Sequence, residues 1–228
     1  MLRVGLLSAP DAPFTGRLIR TLAEHDVRPE AVILDAKAFS EKDKQIHHQR
    51  TEGRLPIIPL GDALPIHPVA NHNDDETAQL VRELGLDFLI NAETPRILKS
   101  AMLTATPIGV INCHPGWLPD FRGSSCVEWA LYEGKPVANT IHVMTEGIDE
   151  GPIVEREIVP VRDGDTYVDI RVRTFEHGVG LLARVAAEIC TRKCTPDMFT
   201  RQGEGRYFKP MAPEKFAEVI ERLEAKQA

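Results

Sequence analysis

The sequence is short of cysteine, of aromatic residues and of long apolar runs, and each shortage narrows what the chain can be. Its four cysteines in 228 residues, Cys113, Cys126, Cys190 and Cys194, show no disulfide framework, and a reducing compartment would keep them as thiols. Cys190 and Cys194 stand four apart and could share a helix face, but no second ligand pair lies near them, so no metal site is expected. No stretch approaches the roughly 18 uninterrupted apolar residues of a membrane span, and Met1 to Leu7 is too short for a signal peptide. The expectation is a cytoplasmic protein with no membrane partner. Positive charge is also in deficit. Against 34 acids stand 27 lysines and arginines, a formal net charge of -7, which argues against nucleic acid and for a small-molecule substrate. There is no internal repeat, no low-complexity tract and no clear linker.

What is present reads as alternating strand and helix. Arg3 to Ser8 predicts a first strand, Pro10 to Pro13 a turn, and Leu18, Ile19 and Leu22 one face of a helix. Ala31 to Leu34 predicts a second buried strand, an order that suggests a parallel sheet. Glu41 to Arg54, with mixed charges around His47 and His48, reads as a solvated helix or loop. Asn73 to Glu76 has capping character ahead of Leu80, Val81 and Leu84, with Gly85 where a left-handed residue closes a helix. Phe88 to Ile90 predicts a strand, Pro95 to Ala101 a short helix, and Ile108 to Cys113 another strand. Val137 to Met144 and Ile153 to Val161 follow as strands. Asp165-Thr166 caps a long helix whose apolar positions run from Val168 to Ile189 at spacings of three and four. A last amphipathic helix carries Phe216, Val219, Ile220 and Leu223.

The chemistry concentrates where the strand ending in Asn112-Cys113-His114 runs into Pro115-Gly116-Trp117. Side chains alternate along a strand, so Asn112 and His114 project together while Cys113 points away. At the C-terminal end of a parallel strand they stand in the crevice where open α/β sheets bind ligands. A carboxamide can donate to a developing oxyanion, and an imidazole can donate to it or move protons near neutrality. A third group comes from "TIHVMTEGIDEGPIV", where Thr140 and His142 alternate before Asp149, set in a turn flanked by Gly147 and Gly151. Asn112, His114 and Asp149 form a candidate triad for acyl transfer. The bland alternatives at this point are strand-end capping for Asn112 and His114, turn formation for Asp149, and a satisfied strand histidine for His142.

The segments "NCHPGWLPDFRG" and "TIHVMTEGIDEGPI" together resemble the core of the formyltransferase family that uses 10-formyltetrahydrofolate, which includes glycinamide ribonucleotide, methionyl-tRNA and amino-sugar N-formyltransferases. The likeness extends back through "DFLINAETPRILKSAMLTATPIGVIN" and forward into "GDTYVDIRVRTFEHGVGLL", about two thirds of the chain. The resemblance implies an α/β, Rossmann-like, mostly parallel sheet with helices on both faces. Residues 1–190 would be the catalytic domain and 191–228 a short C-terminal elaboration packed on it. It implies that Asn112 and His114 polarise a formyl oxygen and that Asp149 positions the histidine and assists proton transfer. It implies too that Arg96, Ile97 and Leu98 cradle the pterin of 10-formyltetrahydrofolate with Thr145, Glu146, Gly147 and Ile148. Trp117, Arg122, Gly123 and Glu176 are the candidate acceptor-binding residues.

Departures from the family pattern bear on the acceptor. Gly116-Trp117 replaces the common Ser-Leu, which predicts a wider turn and an aromatic surface facing the acceptor, with Trp117 as a lid on the core the alternative. The loop from Ser8 to Pro13 lacks the glycine, serine and asparagine that grip a phosphate in the purine-pathway members, so glycinamide ribonucleotide is in doubt. The chain ends soon after the family core and is acidic, which weighs against tRNA. "RQGEGRYFKPM" reads as a small hairpin at Gly203 to Gly205, closer in outline to the amino-sugar enzymes. Glu176 is either an amine-recognising acid or the partner of Arg173 at i-3. The reading is formyl transfer to a small primary amine, with a nucleotide-linked amino sugar as one candidate. Hydrolysis of the same donor, glycinamide ribonucleotide formyl transfer and non-catalytic folate binding are the alternatives, and a homodimer is left open.

Overall fold

The computed structural model describes residues 1–60, 64–192 and 194–225. Five strands, β1 (Val4–Ser8), β2 (Ala31–Asp35), β3 (Ile66–Val69), β4 (Phe88–Asn91) and β5 (Val110–His114), run parallel in the order β3-β2-β1-β4-β5. Two more, β7 (Ala138–Val143) and β8 (Ile153–Ile158), extend that sheet antiparallel beyond β5. Alternation along the central strands sends successive side chains to opposite faces, where two cores form. On one, Leu6, Ile90 and Ile111 pack with α1 (Thr15–Glu24) and α6 (Tyr167–Cys190). On the other, Leu7, Leu89 and Val110 pack with α3 (Asp75–Glu83) and α4 (Ser100–Leu103). The architecture is the α/β sheet with helices on both faces that the sequence predicts.

Local signals explain much of this. The Thr166 hydroxyl accepts from the Asp169 N–H and the Asp169 carboxylate accepts from the Thr166 N–H, a capping box that starts α6 at Tyr167. Ser40 and Asp43 build the same device at α2 (Glu41–Thr51), so the charged 41–54 stretch is a helix over most of its length. Gly85 closes α3 with φ +62°, as its position predicts.

Elsewhere the structure corrects the sequence reading. The helix expected over Pro95 to Ala101 begins only at Ser100, because the preceding loop is tied down by Arg96. β3 escapes the periodicity: Pro68 interrupts it and its side chains are half exposed, which suits only an edge strand, and β3 is the edge. Residues 203–205 form no hairpin. Instead β9 (Tyr207–Phe208) pairs in parallel with β6 (Arg122–Gly123), and Thr200 bridges Ile153. Behind β6, α5 (Cys126–Tyr132) and α7 (Pro213–Glu224) enclose a third apolar cluster around Phe121, Val127 and Val219.

One buried ion pair fixes the C-terminal edge of the sheet. Asp35, fully buried at the end of β2, accepts from Arg96 Nε (2.5 Å) and Nη2 (2.9 Å) and from the N–H groups of Lys37 and His72. Burial alone would raise this carboxyl, but the guanidinium and the two backbone donors outweigh it and hold the group below the usual aspartate range. Because the folded-state value is depressed, its contribution is present above the unfolded pKa of about 3.9 and is lost as pH falls through the folded value. Asp35→Asn leaves Arg96 without its counter-charge and is expected to cost about 2–4 kcal/mol in urea unfolding. A change below about 0.5 kcal/mol would mean that the pair does not hold these loops.

Candidate active site

β5 lies between parallel β4 and antiparallel β7, and the β7 register sets Asn112 directly opposite His142 and His114 opposite Thr140. A directed chain of hydrogen bonds follows. The Thr94 N–H donates to Asn91 Oδ1 (2.8 Å), and Asn91 Nδ2 donates to Asn112 Oδ1 (2.9 Å). Asn112 Nδ2 lies 3.1 Å from His142 Nε2, whose Nδ1 is 3.1 Å from the Val143 carbonyl. A carbonyl only accepts, so Nδ1 carries the proton and Nε2 accepts from Asn112. One amide hydrogen of Asn112 remains for a ligand. His142 is 2% exposed, and burial pushes its pKa down to about 4, against the pull of Asp149, which keeps the ring neutral.

His114 is held as firmly. Its Nε2 sits 2.7 Å from the Phe121 carbonyl and must donate to it, leaving Nδ1 3.3 Å from Asp149 Oδ2. Gly116 is the reason the ring fits. A Cβ there would meet His114 Nε2 and the Phe121 oxygen at 2.7 Å each. Gly116 therefore makes a tighter turn rather than the wider one expected. The Thr140 hydroxyl donates to the Gly116 carbonyl (2.6 Å) and fixes that turn. Cys113 points the other way, toward Gly178 on α6, and burial pushes its thiol up to about 12, so it is no nucleophile.

Asp149 arrives from the β7–β8 connection with φ +56°. Its Oδ2 accepts from the Gly123 N–H (2.8 Å), and Oδ1 lies 3.6 Å from His142 Nε2. Gln202 Nε2 donates to the carbonyls of Asp149 (2.9 Å) and Gly151 (2.6 Å), while its Oε1 accepts from Arg122. The C-terminal segment thus pins the loop that carries the carboxylate. Gly123 has φ +92°, and a Cβ there would lie 2.3 Å from the Phe208 carbonyl, so the β6–β9 pairing that presents this N–H requires glycine.

The structure brings Asn112, His114, Asp149, Arg122 and Gly123 into this one network, with Arg122 and Gly123 bracing Asp149 through Gln202 and a backbone N–H. Arg96 donates from Nε and Nη2 to Asp35 and from Nη2 to the Ala70 carbonyl, which ties its guanidinium to the end of β2. Leu98 is core at 3% exposed, whereas Ile97 (76%) and Ile148 (46%) stand out into solvent, and Thr145 and Glu146 are exposed beside Gly147. Trp117 is half-buried against the third cluster with the Arg156 guanidinium 4.3 Å over its ring, so one face is already taken. Glu176 is exposed on α6, and Arg173 pairs with Asp165 instead of with it. Asn91, His142 and Gln202 stand outside the set of site residues read from the sequence. The signal for Asn91 was available, since β4, like β5, ends its apolar run in asparagine.

A cleft of about 800 Å³ opens elsewhere, between α2, α5, the start of α6 and α7, and none of Asn112, His114 and Asp149 lines it. Convergent polar chemistry, not cavity size, marks the site. Among the described residues no helix is long and apolar enough to cross a membrane.

Residues 9–186 match the family model described as formyl transferase. A methionyl-tRNA formyltransferase from Clostridium perfringens is 27% identical over 191 residues, which are 82% of this chain and 61% of that protein. One from Rhodopirellula baltica is 38% identical over 118 residues, 51% of this chain and 35% of the relative. The chain therefore spans about three fifths or less of the length of these relatives. Among solved structures, glycinamide ribonucleotide transformylase 1 from Symbiobacterium toebii superposes with a TM-score of 0.65 at 24% identity, covering 91% of this chain and 92% of that one. A sugar N-formyltransferase from a Shewanella species gives 0.64 at 17% identity, covering 98% and 88%, so these two share the fold. With the family model matched over most of its length, this chain belongs to the formyl transferase family.

Proposed function

We propose that the protein transfers the formyl group of 10-formyltetrahydrofolate to a primary amine of a small molecule, with Asn112, His114 and Asp149 as the reacting groups. The observation that carries this reading is the single amide hydrogen of Asn112 left unspent beside the His114–Asp149 pair. Asn112 donates it to the formyl oxygen as that oxygen becomes an oxyanion, and His114 polarises the same oxygen alongside. Asp149 Oδ2, 3.3 Å from His114 Nδ1, positions that ring. As the amine nitrogen bonds to the formyl carbon, Asp149 or a water it holds takes the amine proton and returns it to the departing folate nitrogen when that bond breaks. The exposed Ile97 and Ile148 offer apolar contact to a pterin ring, and the Thr145 to Ile148 backbone borders it.

The acceptor is a second question. The relatives named methionyl-tRNA formyltransferase favour an aminoacyl-tRNA acceptor, whose reacting group is also a primary amine. A net charge of -7 favours a small one. A solved formyltetrahydrofolate deformylase from Pseudomonas syringae, with a TM-score of 0.62 at 20% identity, keeps hydrolysis in the comparison.

Incubation with 10-formyltetrahydrofolate and a panel of amino sugars, amino-acid-derived amines and methionyl-tRNA separates these readings. Tetrahydrofolate release that requires a small amine, with a product heavier by one formyl group, is the expected result. Release without any amine indicates hydrolysis, and formylation of the tRNA alone indicates the larger acceptor. Asn112→Ala, His114→Ala and Asp149→Asn are each expected to lower kcat/KM by roughly 10²- to 10⁴-fold with unchanged folding. Unchanged turnover in all three would remove these residues from the chemistry.

The buried neutral His142 adds a pH dependence. Its folded pKa lies below the unfolded value of about 6.5, so the unfolded chain binds the extra proton first as pH falls. Its contribution to stability is complete above about 6.5 and is lost between there and about 4. Denaturation midpoints measured across that interval are expected to fall with pH in the wild type and to fall less in His142→Gln. Equal slopes would mean that the ring titrates normally.

A further inference from the structure

The C-terminal segment meets β8 through an isolated antiparallel bridge beside the Asp149 turn. Thr200 and Ile153 exchange both backbone bonds, each N–H donating to the other's carbonyl at 2.8 Å. In an antiparallel register the next pair of the same kind falls two residues on, which sets Gln202 against Gly151. There a side chain does what a backbone N–H would do. Gln202 Nε2 donates to the Gly151 carbonyl (2.6 Å) and also to that of Asp149 (2.9 Å). Gly151 has to be glycine at this point, because a Cβ would lie 1.7 Å from the Val143 carbonyl oxygen, so the turn is pressed against the end of β7. Held at these two carbonyls, Asp149 keeps φ +56°, takes the Gly123 N–H on Oδ2 (2.8 Å) and brings that oxygen 3.3 Å from His114 Nδ1.

The direction of this amide is fixed from its other end. Gln202 Oε1 accepts from Arg122 Nε (3.2 Å) and Nη2 (3.0 Å), and Nη2 also donates to the Gly203 carbonyl (2.9 Å). Gly205 allows so close an approach, since a Cβ there would meet the Pro119 carbonyl oxygen at 2.2 Å and Arg122 Cζ at 2.9 Å. A carboxamide has two N–H donors and one oxygen with two lone pairs, and all four are used here. Flipping it would set its oxygen against two carbonyls and its NH₂ against a guanidinium. Arg122 is committed in the same way. Its side chain is 11% exposed, and the remaining nitrogen, Nη1, lies 3.9 Å from Glu150 Oε1 on the same turn.

We propose that Gln202 is a positioning residue for formyl transfer, a clamp of fixed direction that sets the distance from Asp149 to His114, and that Arg122 acts through Gln202 rather than on the acceptor. The proposal rests on the formyl-transfer reading, in which Asp149 and His114 are reacting groups. What the clamp needs is polarity as well as bulk. A glutamate of the same length keeps the tie to Arg122 but puts an oxygen where the Asp149 and Gly151 carbonyls require a donor. Misplacing a reacting group by about 1 Å costs on the order of 10²-fold in rate.

The test compares Gln202→Glu and Gln202→Ala with the wild type and with Arg201→Ala, a control at the exposed neighbour. Turnover of 10-formyltetrahydrofolate with a panel of amino sugars is read beside nitrogen-15 NMR of the histidine rings in the full chain. Both Gln202 variants are expected to lose roughly 10- to 100-fold in kcat with the donor KM little changed, and to move the ring-nitrogen signals of His114. The glutamate variant is expected to do no better than the alanine one, and Arg201→Ala to match the wild type in both measurements. In the wild type the two side-chain amide protons of Gln202, both hydrogen-bonded, are expected to exchange slowly with solvent, a readout that needs no variant to fold. An unchanged kcat in Gln202→Glu, a loss of kcat that leaves the His114 signals in place, or Gln202 amide protons that exchange as fast as those of a free glutamine would each overturn the proposal. A wild type that turns over no donor with any amine sinks the transfer reading alone, because the His114 and Gln202 signals still decide whether the clamp sets the pair.

Discussion

Antiparallel pairing of β7 against β5 is the constraint on which the site depends. In a wholly parallel sheet the C-terminal end of β5 would be flanked by another strand end. Here β7 runs back along it and places His142 across from Asn112 and Thr140 across from His114. Thr140 then ties down the Gly116 turn, and His142 takes one of the two amide hydrogens of Asn112. Each end of the resulting relay is a backbone group, the Thr94 N–H and the Val143 carbonyl, so no amide or ring in it can reverse without losing a buried hydrogen bond. Such preorganisation is what oxyanion stabilisation requires.

The carboxylate is positioned by contacts from further away. Asp149 sits in a left-handed turn of the β7–β8 connection. Gly123 supplies a backbone N–H to its side chain, and Gln202 grips the carbonyls on either side of the turn. Both depend on the pairing of β6 with β9, which joins residues more than 80 positions apart. The segment after α6 therefore does more than cover an apolar cluster. It holds the Asp149 carboxylate against the histidine.

These long-range dependences explain what could be read from the sequence. Features encoded locally were legible: the Thr166–Asp169 box, the Gly85 helix stop, the alternation that aims Asn112 and His114 together and Cys113 toward α6. Features decided by partners far along the chain were not. Tyr207-Phe208 carries no sign that its partner is Arg122-Gly123 rather than a hairpin neighbour, and Gln202 looks like any loop polar residue until Asp149 lies beside it. Gly116 was noticed for the right position and misread in effect, because its missing Cβ makes room for the His114 ring rather than for a ligand. Arg96 was read as bordering a ligand, and nothing near it in sequence announced that its guanidinium also satisfies the buried Asp35.

The central claim is that a fixed His142 tautomer aims the Asn112 amide, and nitrogen-15 NMR of the histidine ring tests it directly. Between about pH 6 and 8 the ring is expected to be neutral, with the proton on Nδ1 and an unprotonated Nε2 coupled to the Asn112 side-chain amide. A ring protonated on Nε2 in that range would reverse the relay, turn the Asn112 oxygen toward His142, and contradict the account.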